Sequence, residues 1–220
     1  MSDDRGDAVF DLDGVLSTKD TFTALLAARL RQAPWLILPA LPGVVAWAVS
    51  RHDVRGNARA ARAIAAIALH GVPEARYAAL AERLGARLAG DPGWVRADLV
   101  ERMRSLRASG RRVVVATATE RRLAAAFLAG IGAEHDLLIA SELRWDGADG
   151  AFARHRRGDA KRDALLVAGV DLGAATFFTD SFDDHATAAL AGAVVLVHPS
   201  DRALRRYAAS GLAFTVHPLR

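Results

Sequence analysis

Five short runs in this chain are mostly apolar or β-branched: Ala8-Val9-Phe10, Arg112-Val-Val-Val-Ala-Thr117, Leu137-Leu-Ile-Ala140, Ala175-Thr-Phe-Phe-Thr179 and Ala193-Val-Val-Leu-Val197. A strand with one wet face alternates apolar and polar residues; a strand apolar throughout must be covered on both sides. From Val113 onward these runs alternate with stretches of helical periodicity, which predicts an α/β fold: a doubly wound, Rossmann-like parallel sheet that the first run also joins. At 220 residues and 52% hydrophobic content the chain can bury such a core.

The interval between the first two runs has no strand pattern. Asp20 to Arg31 reads as a helix with Asp20 or Thr21 at its cap, Val54 to Gly71 as an amphipathic helix, and Pro73 to about Gly90 as another. A further helix follows Asp91-Pro92 and ends at Gly110. We therefore expect residues 1–19 and 93–220 to form the α/β core and residues 20–92 an all-helical cap inserted after the first strand, mobile over the site. Within that insertion, Gln32 to Ser50 carries no charge, is bracketed by Arg29, Arg31 and Arg51, and holds Trp35 and Trp47 near its ends. Pro34, Pro39, Pro42 and Gly43 break it into pieces shorter than the roughly 20 apolar residues of a spanning helix. Two readings stand: the inside of a helical subdomain, or a monotopic surface that meets the bilayer.

Net charge is +4, carried almost wholly by Arg, which suits anionic partners such as phosphate or an acidic membrane surface. No zinc-finger spacing, helix-turn-helix pattern or aromatic-interleaved basic stripe stands out, so nucleic acid is not expected as a partner. The chain has no cysteine, hence no disulfide or thiol nucleophile. Met1 to Asp7 lacks the layout of a secretory signal, and a cytoplasmic protein is expected, with the inner face of the membrane as a candidate surface for residues 32–50.

In a doubly wound sheet, ligands bind where the strands end. The first strand delivers Asp11 and Asp13, two carboxylates one residue apart, followed by Gly14. Alone, these are explained equally well as a helix cap or as working acids that need a cation or a shared proton. The second run ends at Thr117 and Thr119 ahead of a helix N-terminus, a place where an anion is welcome. Lys161, one of two lysines, opens a helix, and Asp180-Ser-Phe-Asp-Asp184 closes the fourth run. A nucleophilic carboxylate, a nearby acid, a hydroxyl, a lysine and an acidic turn, in that order, suit acyl-phosphate chemistry with Mg²⁺.

Asp11-Leu-Asp-Gly-Val15, Val113 to Thr117, Lys161 and Asp180 to Asp184 resemble the four motifs of the haloacid dehalogenase superfamily of phosphatases, in its phosphoserine-phosphatase-like branch, from Val9 to about Pro199. Asp20-Thr-Phe22 with the proline-broken segment and the Arg-rich helices resembles the phosphatidylglycerophosphatase C-like subgroup, membrane-associated enzymes acting on a lipid phosphomonoester. The resemblance implies an Mg²⁺-dependent phosphomonoesterase in which Asp11 forms an aspartyl-phosphate and Asp13 acts as general acid and base. It implies Mg²⁺ held by Asp11, the Asp13 carbonyl and Asp180, with Asp184 beside them, and phosphoryl oxygens held by Thr117 and Lys161. Asp20 stands where relatives carry a Glu that reads a substrate amine, which argues against phosphoserine. Asp183 replaces an Asn near the phosphate and would repel substrate unless it points away. Arg156 and Arg157, in the run Arg154-His-Arg-Arg157, are candidate grips for a second phosphate or an acidic head group. A soluble phosphatase for a small metabolite and a non-catalytic membrane- or partner-binding module are the alternatives.

Overall fold

The computed structural model describes residues 6–49 and 54–218; the expectations placed on Met1–Arg5, Ser50 and Arg51 fall outside it. In chain order the elements are β1 (Ala8–Phe10), α1 (Thr21–Gln32), α2 (Ile37–Val49), α3 (Val54–Ala68), α4 (Glu74–Ala89), α5 (Ala97–Ala108), β2 (Val113–Glu120), α6 (Arg121–Gly130), β3 (Leu137–Asp146), β4 (Asp149–Arg154), α7 (Asp159–Val167), β5 (Thr176–Thr179), α8 (His185–Ala188), β6 (Ala193–Leu196), α9 (Asp201–Ser210) and β7 (Thr215–Val216). One sheet runs β4-β3-β2-β1-β5-β6-β7, with every pairing parallel except the β3–β4 hairpin.

The apolar runs behave as their composition requires. Ala8 and Phe10 bury into one core layer and Val9 into the other; Val113 and Val115 join the first, Val114 and Ala116 the second. Side chains of period two thus feed two cores from one strand. Phe10 of β1 and Phe178 of β5 stack across the register at 4.3 Å.

Five helices, α1 to α5, lie between β1 and β2. Asp20 caps α1 by accepting from the Thr23 N–H at 2.6 Å. The uncharged run does not break where Pro39 and Pro42 stand: its bend falls at Ala33–Pro34, where a short 3₁₀ turn precedes α2, and Pro42 lies inside α2. Among the described residues no single helix is long and apolar enough to cross a membrane; α1 and the Pro34–Val49 stretch are bent by 113°. Most of α2 faces outward, with Leu38 and Val49 both 77% exposed, while Ala40 is buried. Gly43 brings α2 close to α3, since a Cβ there would sit 3.0 Å from the Ile64 side chain.

The fourth helix is tied to the core instead. A Cβ on Gly85 of α4 would meet Ala126 at 2.7 Å, one on Gly130 of α6 would meet Ala89 at 2.5 Å, and the Tyr77 hydroxyl donates to buried Glu120 at 2.6 Å.

Three features depart from the sequence expectation. Strand β2 continues to Glu120, with its pairing irregular between Ala116 and Glu120. The third run extends to Asp146 and returns as β4 through a turn at Gly147, whose φ is 58°. Beyond the last expected strand, α9 and β7 complete the sheet edge.

Candidate active site

Past Phe10 the chain leaves the sheet and turns at Gly14, where φ is 80° and a Cβ would overlap the Asp180 carboxylate. Only glycine lets the backbone pass so close to that acid. Asp11, Asp13, Lys161, Asp180, Asp183 and Asp184 line one cavity of about 280 Å³ at the strand ends.

Buried Lys161 organises the acids. Its Nζ lies 3.1 Å from Asp11 Oδ2 and 2.8 Å from Asp184 Oδ2, and the latter oxygen also accepts from the Thr179 hydroxyl at 3.1 Å. Burial opposes the lysine's charge, but Asp11 and Asp184 outweigh it and hold the ammonium above its usual range. Burial likewise opposes the charge on Asp184, yet Lys161 and the hydrogen bonds bring it below the ordinary carboxylate value. Asp11 is driven up by burial, with Lys161 pulling against it. Asp180 is raised to about 7, first by burial and then by the charge on Asp184.

Asp13 is held from the insertion side. Its Oδ1 accepts from both the Thr21 N–H and the Thr21 hydroxyl at 2.8 Å, and Oδ2 accepts from the Thr119 hydroxyl at 2.6 Å. Burial, then the nearby Asp20 charge, lift this carboxyl to about 6 against those hydrogen bonds.

Four carboxyl groups crowd one lysine here, and keeping more than one of them ionised calls for a further cation with a taste for oxygen. Among the described residues no three acidic or histidine side chains converge as metal ligands. Asp11 and Asp180 supply two carboxylates on this cavity. That set fits a hard divalent ion that keeps several waters.

Other expected residues fall differently. Thr117 is fully buried, and its hydroxyl accepts from the Thr119 N–H at 3.0 Å; because β2 runs on past it, Ala118 rather than Thr117 reaches the cavity wall. The N-terminus of α6 is not open to an anion, since Glu120 fills it by accepting from the Leu123 N–H. Arg156 is not on the cavity wall, whereas Arg157 is, paired with Asp183. That pairing answers the concern raised by Asp183: its carboxylate is matched by a guanidinium. Thr21 and Thr119 are the site residues whose contact with Asp13 the sequence did not reveal; a hydroxyl at the first position of the helix after the acids was the available signal.

A second chamber of about 210 Å³ opens from the acids. Asp13, Asp20, Ala118 and Arg157 line both, while Phe22, Leu26, Leu30, Val44, Trp47 and Ile64 wall the far end. The β3–β4 hairpin closes its side: Phe152 packs against Phe22 at 5.3 Å, and the Trp145 indole donates to the Val72 carbonyl at 3.0 Å.

Comparison with known proteins bears on the family and the fold. Residues 8–189 match the family described as haloacid dehalogenase-like hydrolase. The protein CicA of Caulobacter vibrioides (strain NA1000 / CB15N) is 34% identical over 138 residues, 61% of this chain and 58% of its own length. A crystal structure of a protein of unknown function from Bordetella pertussis Tohama I superposes with a TM-score of 0.70 at 20% identity, covering 98% of this chain and 99% of that one. A phospho-aspartyl intermediate analogue of phosphoserine phosphatase superposes at 0.63 with 13% identity, covering 97% and 94%. With the match extending from β1 into α8, and so over every acid of the cavity, the chain belongs to the haloacid dehalogenase-like hydrolase family.

Proposed function

We propose that this protein is an Mg²⁺-dependent phosphomonoester hydrolase that works through an aspartyl-phosphate and prefers an amphiphilic phosphate. The observation that carries the reading is the junction of two hollows: an acid and lysine cavity continuous, through Asp13, Asp20 and Arg157, with an apolar chamber.

In this reading Asp11 attacks phosphorus and its carboxylate oxygen takes the phosphoryl group as the ester oxygen departs. Asp13, with a carboxyl near 6, delivers the proton that oxygen needs, then takes one from the water that cleaves the aspartyl-phosphate. Lys161 neutralises the phosphoryl oxygens while Asp184 and Thr179 keep its ammonium in place. Magnesium, when bound by Asp11 and Asp180, screens the charge between an anionic carboxylate and an anionic substrate. Thr21 and Thr119 hold Asp13 in one orientation, and Leu30, Val44 and Ile64 receive the apolar part of the leaving group.

A neighbour of this fold is a phosphoserine phosphatase captured as a phospho-aspartyl analogue, which supports the chemistry; the apolar chamber argues for a different leaving group here. Residues 20–92, as the unit that supplies α1 to α4, are proposed to select substrate. The outward apolar face formed by α2 and the 3₁₀ turn before it, with exposed Leu38 and Trp35, is proposed to rest on a membrane surface that presents such substrates.

The test is a series of n-alkyl phosphates with Mg²⁺. kcat/KM is expected to climb with chain length, by a factor of about four per methylene until the chamber is full, at about 0.8 kcal/mol each. Asp11→Asn should abolish turnover with the fold intact. Activity retained in that variant refutes the nucleophile, and a flat series refutes the chamber as a subsite.

A further inference from the structure

The helical insertion buries one of its own charges. On α1 the buried stripe runs Phe22, Leu25, Leu26 and Arg29, the i, i+3, i+4, i+7 spacing of one helix face. Arg29 is only 9% exposed. Its Nε is buried with no hydrogen bond, and among the described residues the guanidinium has no ion-pair partner. The charge that acts on it belongs to another cation: burial first, then Arg76, pull Arg29 below its ordinary range. Carbonyls at the end of α1 favour a cation, but a helix terminus returns only a fraction of what an unpaired buried charge costs. The neighbouring helices have no acid to spare. Helices α1, α2 and α3 contain no Asp or Glu. In α4, Glu74 is paired with Arg122, and Glu82 lies about 240° around the helix from Arg76. Arg76 itself stands, exposed, in the first turn of α4, where Pro73 at the N-cap leaves the leading N–H groups without a side-chain acceptor.

Two guanidiniums, one of them buried, with an uncapped helix N-terminus and no carboxylate to match them, form a donor set for a tetrahedral oxyanion. At 1.5 Å per residue Arg29 lies about 12 Å along α1 from Thr21, which holds Asp13, so such an anion stands apart from the acid cavity. On its other side the Ala33 N–H returns to the Arg29 carbonyl at 3.1 Å, and Trp35, Ile37 and Leu38 open the outward apolar face just beyond. We propose that Arg29 and Arg76 form a binding site for a phosphate-type oxyanion, separate from the catalytic cavity and supplied by the headgroup of an anionic phospholipid or by free phosphate. A bound oxyanion would join the last turn of α1 to the first turn of α4 and add a polar anchor to the apolar face. The site stands on the orphaned charge and does not depend on the phosphatase reading.

The experiment uses the full chain in EDTA and measures calorimetric binding of inorganic phosphate, together with flotation on phosphatidylcholine vesicles, pure or mixed with phosphatidylglycerol. Wild type should show a phosphate site that Arg29→Met lacks and that Arg76→Ala weakens by about tenfold, the scale of a hydrogen bond between charged groups. Chloride at equal ionic strength should leave that site in place. With Mg²⁺ restored, kcat and KM for p-nitrophenyl phosphate should be the same in all three proteins. Flotation on the mixed vesicles that is lost in Arg29→Met and competed by phosphate supports the site and assigns its anion to lipid; phosphate binding lost with flotation unaltered supports the site and assigns it to free phosphate. Equal phosphate binding in wild type and Arg29→Met overturns the proposal, as does a rise in KM for p-nitrophenyl phosphate that follows the lost binding, since the anion is then the substrate's. Should Arg29→Met fail to fold, the exposed variant Arg76→Ala decides, and unchanged phosphate affinity there overturns the proposal. The binding measurements need no turnover, so they stand whether or not the phosphatase reading does.

Discussion

Thr21 donates both its backbone N–H and its hydroxyl to a single oxygen of Asp13, at 2.8 Å each. The first residue of the helical insertion thereby fixes the carboxyl proposed to move protons. Removing the hydroxyl with Thr21→Val loses a hydrogen bond to the charged form, so the Asp13 pKa should rise above about 6 and the alkaline fall of kcat/KM should shift to higher pH. The loosened carboxyl should also lower kcat by about 10- to 100-fold. A pH–rate profile reads both effects; an unmoved profile would separate Thr21 from the chemistry.

Asp180 sits at about 7 without a metal, while a metal ligand must be a carboxylate. Adding Mg²⁺ near pH 6.5 should therefore release protons, and near pH 8.5 release almost none. The folded value lies above the unfolded one of 3.8, so the contribution of this group to stability is fully present below the unfolded value and lost as pH rises through about 7. Metal-free protein should accordingly melt lower near pH 8 than near pH 5, by up to a few kcal/mol from this group, and Mg²⁺ should restore the difference. Asp180→Asn should reduce both responses in thermal denaturation, with Asp11 and Asp13 carrying the remainder.

Gly85→Ala would place a methyl 2.7 Å from Ala126 in a packed interface. Overpacking of this kind costs about 1–3 kcal/mol, and urea unfolding should show a midpoint lowered accordingly with the slope unchanged.

Leu38 is 77% exposed and Trp35 is 71% exposed on the uncharged stretch of the insertion. Trp35→Ser/Leu38→Ser should reduce flotation with anionic liposomes and leave p-nitrophenyl phosphate turnover intact. Wild-type protein that stays with the soluble fraction would remove the membrane from the proposal.

What the residues made legible follows from how unusual each one was in its place. Each acid alone has a bland explanation as a cap or turn residue, but acids recurring at successive strand ends do not, and Asp11, Asp13, Asp180 and Asp184 all reach one cavity, with Lys161 beside them. Thr119 is an ordinary hydroxyl whose bonds to Asp13 and to Thr21 span 106 and 98 positions, distances no local pattern encodes. The β3–β4 hairpin was readable in part: Leu143 and Trp145 alternate with charged residues ahead of Asp146-Gly147, a period-two run into a turn. It sits on the insertion rather than on the sheet core, so apolar continuity, which found the other strands, passed over it. Arg157 was legible as a basic residue near the site, but its match with Asp183 needed the coordinates.

The seal between α4 and α6 divides the insertion mechanically. With Gly85 and Gly130 locking those helices together and Tyr77 anchored on Glu120, α4 travels with the sheet, as a door frame does with its wall. We propose that an opening movement falls to α2 and α3, which carry Val44, Trp47 and Ile64 of the apolar wall, since Thr21 ties α1 to Asp13. Such a movement would withdraw part of the grip on the substrate's tail and leave Lys161 with its acids in place.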